Sequence, residues 1–452
     1  MKQSIRIASG QGFWGDLHSA PFTQVTHGKI DYLVMDYLAE VTMSILQKQR
    51  MRNPALGYAR DLIDICDEIL PTLVAKNITL ITNGGGVNPI AARDKIFELA
   101  RAKGITGLRI GVVLGDDILP TIDDLISAGH AMKHMETGQP IVDVRNKLLS
   151  ANVYTGAAPL VEALRQGAQI IITGRTTDTG LTLAPMIHEF GWSMDDWDKL
   201  AAGTVAGHIN ECGAQATGGN FLGDWRSVPD MTEPGFPIIE AYPDGSFVVT
   251  KHASLGGMVT RETVSEQLLY EIGDPTEYIT PDCIADFTSI RLEDLGNDRV
   301  RVWGIQGRPA TSTYKVSASY LDGYIAFGSL TYSAPDALEK AQAADALLRS
   351  RLAHYGLSFE EIRTEFIGMN ACHGPLAATI EPNEVMMRIG VRGHDKASVE
   401  RFGKEIAPLI LTGPPSVTGF SGGRPKPSDV VAYFPALLDK SVVDMRVVVD
   451  EM

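Results

Sequence analysis

The stretch GHINECGAQATGGN, residues 207–220, crowds more reactive side chains together than any other part of the chain. If its start is helical, His208, Glu211 and Cys212 stand at i, i+3 and i+4 and share one face. Three chemistries suit that spacing. His208 and Glu211 can move protons. Cys212 beside His208 can serve as a thiol nucleophile. His and Cys together can also begin a metal site, though they fall short of a full ligand set. Glu211 is preferred to Cys212, because an isolated cysteine is more often a small inert core residue. A packed helix end is the plain structural alternative.

A second stretch, TGRTTDTG (173–180), puts Arg175 and Asp178 in one loop. Arg175 can clamp a carboxylate through two parallel hydrogen bonds, with Asp178 as acid, base or orienting partner. The alternative is an ion pair that only braces the loop. MDYLAEVTMS brings Asp36, Tyr37 and Glu40 just past a strand. Glu40 is expected to reach the same cleft, although acids at a helix start are also favoured by the dipole alone. Arg308 and Lys315, in QGRPATSTYKVS, can add positive charge for an anionic ligand.

These residues need a scaffold, and the first half of the chain supplies its pattern. The β-prone runs Ile5–Ala8, Ile30–Met35, Ile78–Thr82, Leu108–Leu114, Leu148–Val153 and Ala168–Thr173 alternate with helical patterns. Leu62, Ile65, Cys66, Ile69, Leu70 and Leu73 recur at helical spacing. Asn88 and Pro89 read as the N-cap and first position of another helix. The expected fold class is α/β, a mostly parallel doubly wound sheet in the N-terminal half. Beyond Asp224 the strands become short and turn-separated, so residues 226–452 read as an α+β section. The boundaries fall near 225 and, more softly, near 333.

Glycines cluster after the expected strands, in SGQGFWGD, TNGGGVNP, LGDD, NVYTGAAP and TGRTTDTG. Ligands of open parallel sheets bind beyond the carboxyl ends of the strands, so these loops are expected to line one crevice. Gly10, Gly12 and Gly15 spell G-x-G-x-x-G, and Asp36 stands where a dinucleotide fingerprint wants its acid. The helix between them is weak, being interrupted by Pro21 and lacking a long apolar stripe. A loop shaping a pocket for another ligand, with Gly12 in it, is therefore preferred. Asn83 and the run Gly84, Gly85 and Gly86 could turn N–H groups toward a phosphate or carboxylate, or could simply pack closely.

Bulk properties narrow the function. The net charge is −15, with no Lys/Arg-rich run, which argues against nucleic acid and anionic membranes. Four cysteines, none near another, support neither a disulfide framework nor a structural zinc site. No apolar run approaches the roughly 20 residues of a membrane helix, and no signal peptide is visible. A cytoplasmic homo-oligomer is expected.

The motifs GQGFWGD, DYLVMDYLAEVTMS, TNGGGVNP, NVYTGAAPLVEAL, TGRTTDTG and GHINECGAQATGGNF together resemble the acyclic terpene utilisation protein family, over about residues 3 to 440. The resemblance implies a place in bacterial breakdown of branched terpenoid acids through acyl-CoA intermediates. Longer relatives carry a small ferredoxin-like domain at the C-terminus. This chain ends soon after VVDMRVVVDEM, so such a domain is expected from a separate subunit. The leading expectation is a catabolic enzyme on a small carboxylic acid or acyl-CoA thioester, a hydratase or dehydratase. Glu211 or Asp178 would move the proton with His208 assisting, Arg175 would hold the substrate, and Gly84–Gly86 would bind phosphate or an oxyanion. No cofactor or metal is expected, with CoA only as part of the substrate. The alternatives are a non-catalytic acyl-CoA-binding or partner-binding subunit and a nucleotide-dependent enzyme using the opening glycine turn.

Overall fold

The computed structural model describes residues 2–369, 371–377, 381–418 and 422–452. In chain order it begins β1 (Ile5–Gln11), α1 (Ala20–Thr26), β2 (Tyr32–Met35), α2 (Glu40–Arg52), α3 (Arg60–Lys76), β3 (Thr79–Thr82), α4 (Pro89–Ala102) and β4 (Arg109–Leu114). There follow α5 (Ile122–Ser127), β5 (Leu148–Val153), α6 (Ala158–Arg165), β6 (Ile170–Ile172), α7 (Gly180–Phe190), α8 (Trp197–Asn210), β7 (Ile238–Ala241), β8 (Phe247–Thr250) and α9 (Arg261–Leu269).

Strands β1, β2, β3, β6 and β4 lie side by side in that order, all parallel. Their near-continuous apolar runs have a simple cause: both sheet faces are covered. Tyr32, Val34 and Ile171 point into one core with α6, α7 and α8. Leu33, Met35, Ile170 and Ile172 point into the other with α3 and α4. Asn88 caps α4 by accepting from the Ala91 N–H, with Pro89 at the first position.

Two features depart from the sequence reading. β5 does not join the parallel sheet. It pairs with the long strand Thr313–Ser333, where Ser150 and Ser319 hydroxyls meet at 2.6 Å. Nor does the sheet stop near residue 225: β7 runs antiparallel against β1, followed by β8, Val300–Trp303 and Arg291–Asp294. Arg446–Glu451 closes the other edge antiparallel to β4. The short later strands extend the first sheet because that edge of β1 offers unpaired backbone groups. One compact unit is thus 1–319 with 433–452, and the other is 320–432.

The second unit has its own core, in which Leu330, Tyr332, Leu348, Val385, Met387 and Phe402 are buried. Its elements run strand to Ser333, helix Ala337–His354, strands Glu361–Ile367 and Glu384–Gly393, helix Lys396–Ile406, strand Val417–Thr418. Numbered within the unit, the strands lie in the order 2-3-1-4, all neighbours antiparallel. A β-α-β-β-α-β run in that order is ferredoxin-like. The chain therefore builds one such unit itself, between its two N- and C-terminal parts.

Helices α7 and α8 approach unusually closely because Gly203 and Gly207 face α7. A Cβ on Gly207 would stand 2.5 Å from the backbone of Thr179. Gly207→Ala is expected to cost about 2 kcal/mol or more by overpacking, read as a lowered denaturant midpoint. Gly273→Ala, where an added Cβ meets nothing within 4 Å, should leave the midpoint unchanged.

Candidate active site

Parallel strands end on the same rim, and hydrogen bonds knit their loops together there. The Asp36 N–H donates to Gln11 O at 3.0 Å, and the Thr173 N–H to Thr82 O at 2.9 Å. Asn83 Oδ1 accepts from the Tyr37 N–H at 2.8 Å, while its Nδ2 donates to Asp36 Oδ1 at 2.6 Å. Asp116, after β4, accepts from the Arg175 N–H at 2.7 Å and from Asn152 Nδ2 at 2.9 Å.

Arg175 lies at the bottom of this assembly and is only 1% exposed. Its Nη1 donates to Leu38 O at 2.5 Å and to Asp178 Oδ1 at 2.9 Å. Its guanidinium carbon is 4.1 Å from the centre of the Tyr154 ring, within cation–π range. Burial works against the charge, but Asp178, Tyr154 and Asp36 hold the group protonated. Lys315 Nζ lies 5.0 Å from the same Tyr154 ring and is partly open to solvent. The Tyr154 hydroxyl donates to Glu40 Oε1 at 2.6 Å. Burial would raise the Glu40 pKa, yet that hydrogen bond and the two cations bring it below its ordinary value.

The carboxyl groups of Asp36 and Asp178 influence each other's ionisation. Burial and then the neighbouring Asp178 push the Asp36 pKa well up. Burial also raises Asp178, against the pull of Arg175. About a third of the Asp178 side chain, 34%, is exposed, whereas Asp36 is enclosed.

The second acid system ends α8. His208 Nε2 lies 2.9 Å from Gln267 O and Nδ1 lies 3.0 Å from Glu211 Oε1. A carbonyl only accepts, so Nε2 carries a hydrogen. Nδ1 and Glu211 then share one further proton, as imidazole with carboxylic acid or imidazolium with carboxylate. Gln267 Nε2 donates back to His208 O at 2.9 Å, and the rings of Tyr278 and Phe287 flank the imidazole. Burial, reinforced by Asp178, lifts Glu211 to about 7 against the lowering effect of His208. Its Oε2 is buried without a hydrogen-bond partner.

The glycines act by what they leave out. A Cβ on Gly12 would stand 2.8 Å from the Cys212 carbonyl carbon and 3.0 Å from Glu211 O. The end of β1 thus rests on the backbone that carries Glu211. The third glycine of that motif, Gly15, precedes α1 by several residues instead of opening it, so the geometry of a dinucleotide turn is not formed. In the triple-glycine loop, Gly84 N–H donates to Thr82 Oγ1 and Gly86 N–H to Asn83 O. A Cβ on Gly85 would stand 2.7 Å from Thr173 O. These residues make a close-packed turn whose Gly84 and Gly86 donors are already taken, which is the packing alternative and not an open anion cradle.

The structure brings Arg175, Asp178, Glu40, Lys315, Asn83, Glu211, His208 and Cys212 into this region. The Arg175 Nη1 is taken by Leu38 O and Asp178, while its buried Nε has no hydrogen-bond partner. Burial and Glu211 raise the Cys212 pKa, which keeps it a thiol and a poor nucleophile. Arg308 instead pairs with Glu277 and Thr276 O on an exposed edge. Sequence reasoning missed Tyr154 and Asp116. Both sit in loops it singled out, NVYTGAAP and LGDD, but no spacing rule ties them to Arg175. Among the described residues, no group of three or more His, Cys, Asp or Glu is arranged to hold a metal ion. No described helix is long and apolar enough to cross a membrane.

The chain belongs to the acyclic terpene utilisation family: the model described as "Acyclic terpene utilisation family protein AtuA" matches residues 5–449. No curated protein and no solved structure matches it.

Burial lifts Asp116 to about 7 from 3.8, as it lifts Glu211 to about 7 from 4.5. In the unfolded chain both ionise near the lower values, so between those limits the folded state binds more protons. Stability therefore falls as pH rises through that window and levels above it. Asp116→Asn should flatten this decline by on the order of a few kcal/mol, measured as unfolding free energy against pH beside the unsubstituted protein.

Proposed function

We propose that this family member, whose membership implies a role in acyclic terpene utilisation, is an acid–base catalyst acting next to a carbonyl. The substrate is a small carboxylic acid or acyl-CoA thioester, and the reaction is hydration or dehydration. One observation carries the reading: two carboxyl groups in unlike surroundings face one rim, Glu211 held by His208 and Asp178 held by Arg175.

Enzymes assign acid and base roles by environments that push paired carboxyls apart. Glu211, with a pKa of about 7, retains a proton to give to a leaving hydroxyl. Asp178, beside Arg175 and partly exposed, takes the proton from the carbon next to the carbonyl. In the dehydration direction the C–H electron pair forms the double bond, the C–O bond breaks, and Glu211 completes a water molecule. His208 holds the Glu211 carboxyl and shares its charge once the proton has left. Lys315, 3.9 Å from Glu40, offers a partly exposed cation for the substrate's anionic end.

The test follows loss of the substrate's α-hydrogen to D2O by NMR with a 3-hydroxyacyl-CoA. Glu211→Gln and Asp178→Asn should each slow exchange or turnover by about a hundredfold or more, while Cys212→Ser should retain both. Exchange and turnover that survive both carboxyl substitutions would overturn the reading. Stabilisation by a nucleotide, with none by a CoA ester, would turn it toward the nucleotide-dependent alternative.

A further inference from the structure

None of the groups in that scheme lines the cavity bounded by Arg6, Lys29, Lys251, His252 and Arg299, which encloses about 540 Å³ within the first unit. We propose that this cavity binds a small molecule through a phosphate or pyrophosphate group, held by Arg6, Lys29 and Arg299. The inference goes beyond the acid–base reading and does not depend on it. Lys29 lies before the start of β2, whereas Asp36 and Glu40 follow its end.

Charge singles the cavity out. The whole chain carries −15 and repels anions at long range, yet four permanent cations, Arg6, Lys29, Lys251 and Arg299, converge here. Two carboxylates answer them. Glu240 lies between Arg6, at 3.0 Å, and Arg299, at 3.3 Å. Asp298 takes the buried Lys251 at 3.2 Å, and Lys251 also donates to Leu255 O at 2.8 Å. Asp31 accepts from the Arg6 backbone N–H and is itself matched by Lys2 at 3.6 Å. Two positive charges are left over, which a phosphate dianion matches. The field at the neighbouring imidazole has the same sign. Burial, then the cations Arg6, His27 and Lys76, hold His252 below its ordinary pKa, against its hydrogen bond to Gln24 O.

Donors are open there as well as charged. Arg6 spends Nε on Lys29 O at 2.9 Å and Nη1 on Glu240, which leaves Nη2 without a partner among the described residues. Arg299 reaches Glu240 through Nη1 and Nη2 at 3.4 and 3.3 Å, which leaves Nε. The Lys29 side chain is exposed and makes no hydrogen bond or ion pair among the described residues. Arginine holds phosphate through its planar fork and lysine as a point charge. The walls are fixed by regular structure. Arg6 is in β1, and Arg299 leads into the strand Val300–Trp303. His252 is anchored through Nε2 on Gln24 O at 3.0 Å, and its ring lies where a Cβ on Gly28 would be. Pockets for small organic ligands run to roughly 300–1,000 Å³, so the room suits a phosphate carried on an organic group better than the bare ion.

The experiment is isothermal titration of the intact protein with inorganic phosphate, pyrophosphate and glycerol 3-phosphate at constant ionic strength and about pH 8, where phosphate esters are dianions. At least one should bind saturably. Lys29→Ala and Arg299→Gln should each weaken that binding about tenfold or more. Lys147→Ala, which removes an exposed cation outside the cavity, should leave it unchanged. Lys29 has no partner to lose, so its variant carries the test if Arg299→Gln disturbs the contacts of Glu240. NMR of the His252 imidazole locates the ligand: its signals should move as the anion saturates the unsubstituted protein. Tightest binding of glycerol 3-phosphate assigns the site to a phosphate ester, tightest binding of pyrophosphate to a diphosphate, and equal affinity for all three to the free ion. Absence of saturable binding by any of them, or binding that both cavity substitutions leave intact, overturns the proposal. Loss of α-hydrogen is read separately. Should Glu211→Gln and Asp178→Asn leave it intact while Lys29→Ala weakens anion binding, the phosphate site stands and the acid–base reading falls.

Discussion

Three carboxyl groups, those of Asp36, Glu40 and Asp178, act on one buried guanidinium, and Glu211 in turn feels Asp178. Taking an ion out of water costs several kcal/mol even after relaxation, and Arg175 at 1% exposure supplies one positive charge toward that cost. Lys315 at the open side contributes to Glu40. The remaining excess is relieved in the only way left, by retaining protons. Glu211 and the Asp36–Asp178 pair therefore hold protons at pH values where free carboxyls have none. The raised acidities follow from burial first and from this charge balance second. The Tyr154 ring serves the same balance: it covers the guanidinium with a π face, which lets the cation stay dry without a further anion.

Keeping these groups together is a matter of backbone contact. The loop that carries Asp178 leads into α7, and Glu211 follows α8, so their separation depends on how closely the two helices pack. Gly203 and Gly207 allow side chain and backbone of α7 to fill the space where Cβ atoms would be. From the other side Gly12 lets the end of β1 rest on residues 211–213. The Gly207 and Gly12 contacts are with backbone, which cannot rotate aside as a side chain can. The acids are thus held in place by this frame.

The part of this arrangement legible in the sequence is the part governed by short-range rules. Buried strands read as apolar runs, α4 announced its start through Asn88 and Pro89, and the parallel strands put their glycine loops on one rim. His208 and Glu211 were visible because three residues of helix bring them to one face. What stayed hidden depends on strand order. Leu148–Val153 has the composition of a central strand but pairs with Thr313–Ser333, and only that pairing carries Lys315 to Tyr154. The antiparallel strands after residue 225 looked like a new domain because edge pairing with β1 leaves no local signature. Glycine motifs were visible but ambiguous: Gly12 and Gly84–Gly86 read equally well as ligand cradles, and only coordinates reveal the atoms that occupy the missing Cβ positions. Asp36 was noticed for its distance from a glycine motif, whereas its effect on Asp178 is a property of neighbouring strands β2, β3 and β6.

The charge coupling also bears on the order of events in the proposed reaction. Asp178's negative charge is one of the influences that raise Glu211. When Asp178 takes a proton from the substrate, that charge disappears and Glu211 becomes a stronger acid. This happens at the stage where the leaving hydroxyl needs a proton. The region as a whole keeps its net charge, since one carboxyl gains what the other gives up, and the buried guanidinium sees no change in the total it must balance. A lone acid or a lone base in the same surroundings would have to create or lose a buried charge in each half-reaction. Two coupled carboxyls avoid that step.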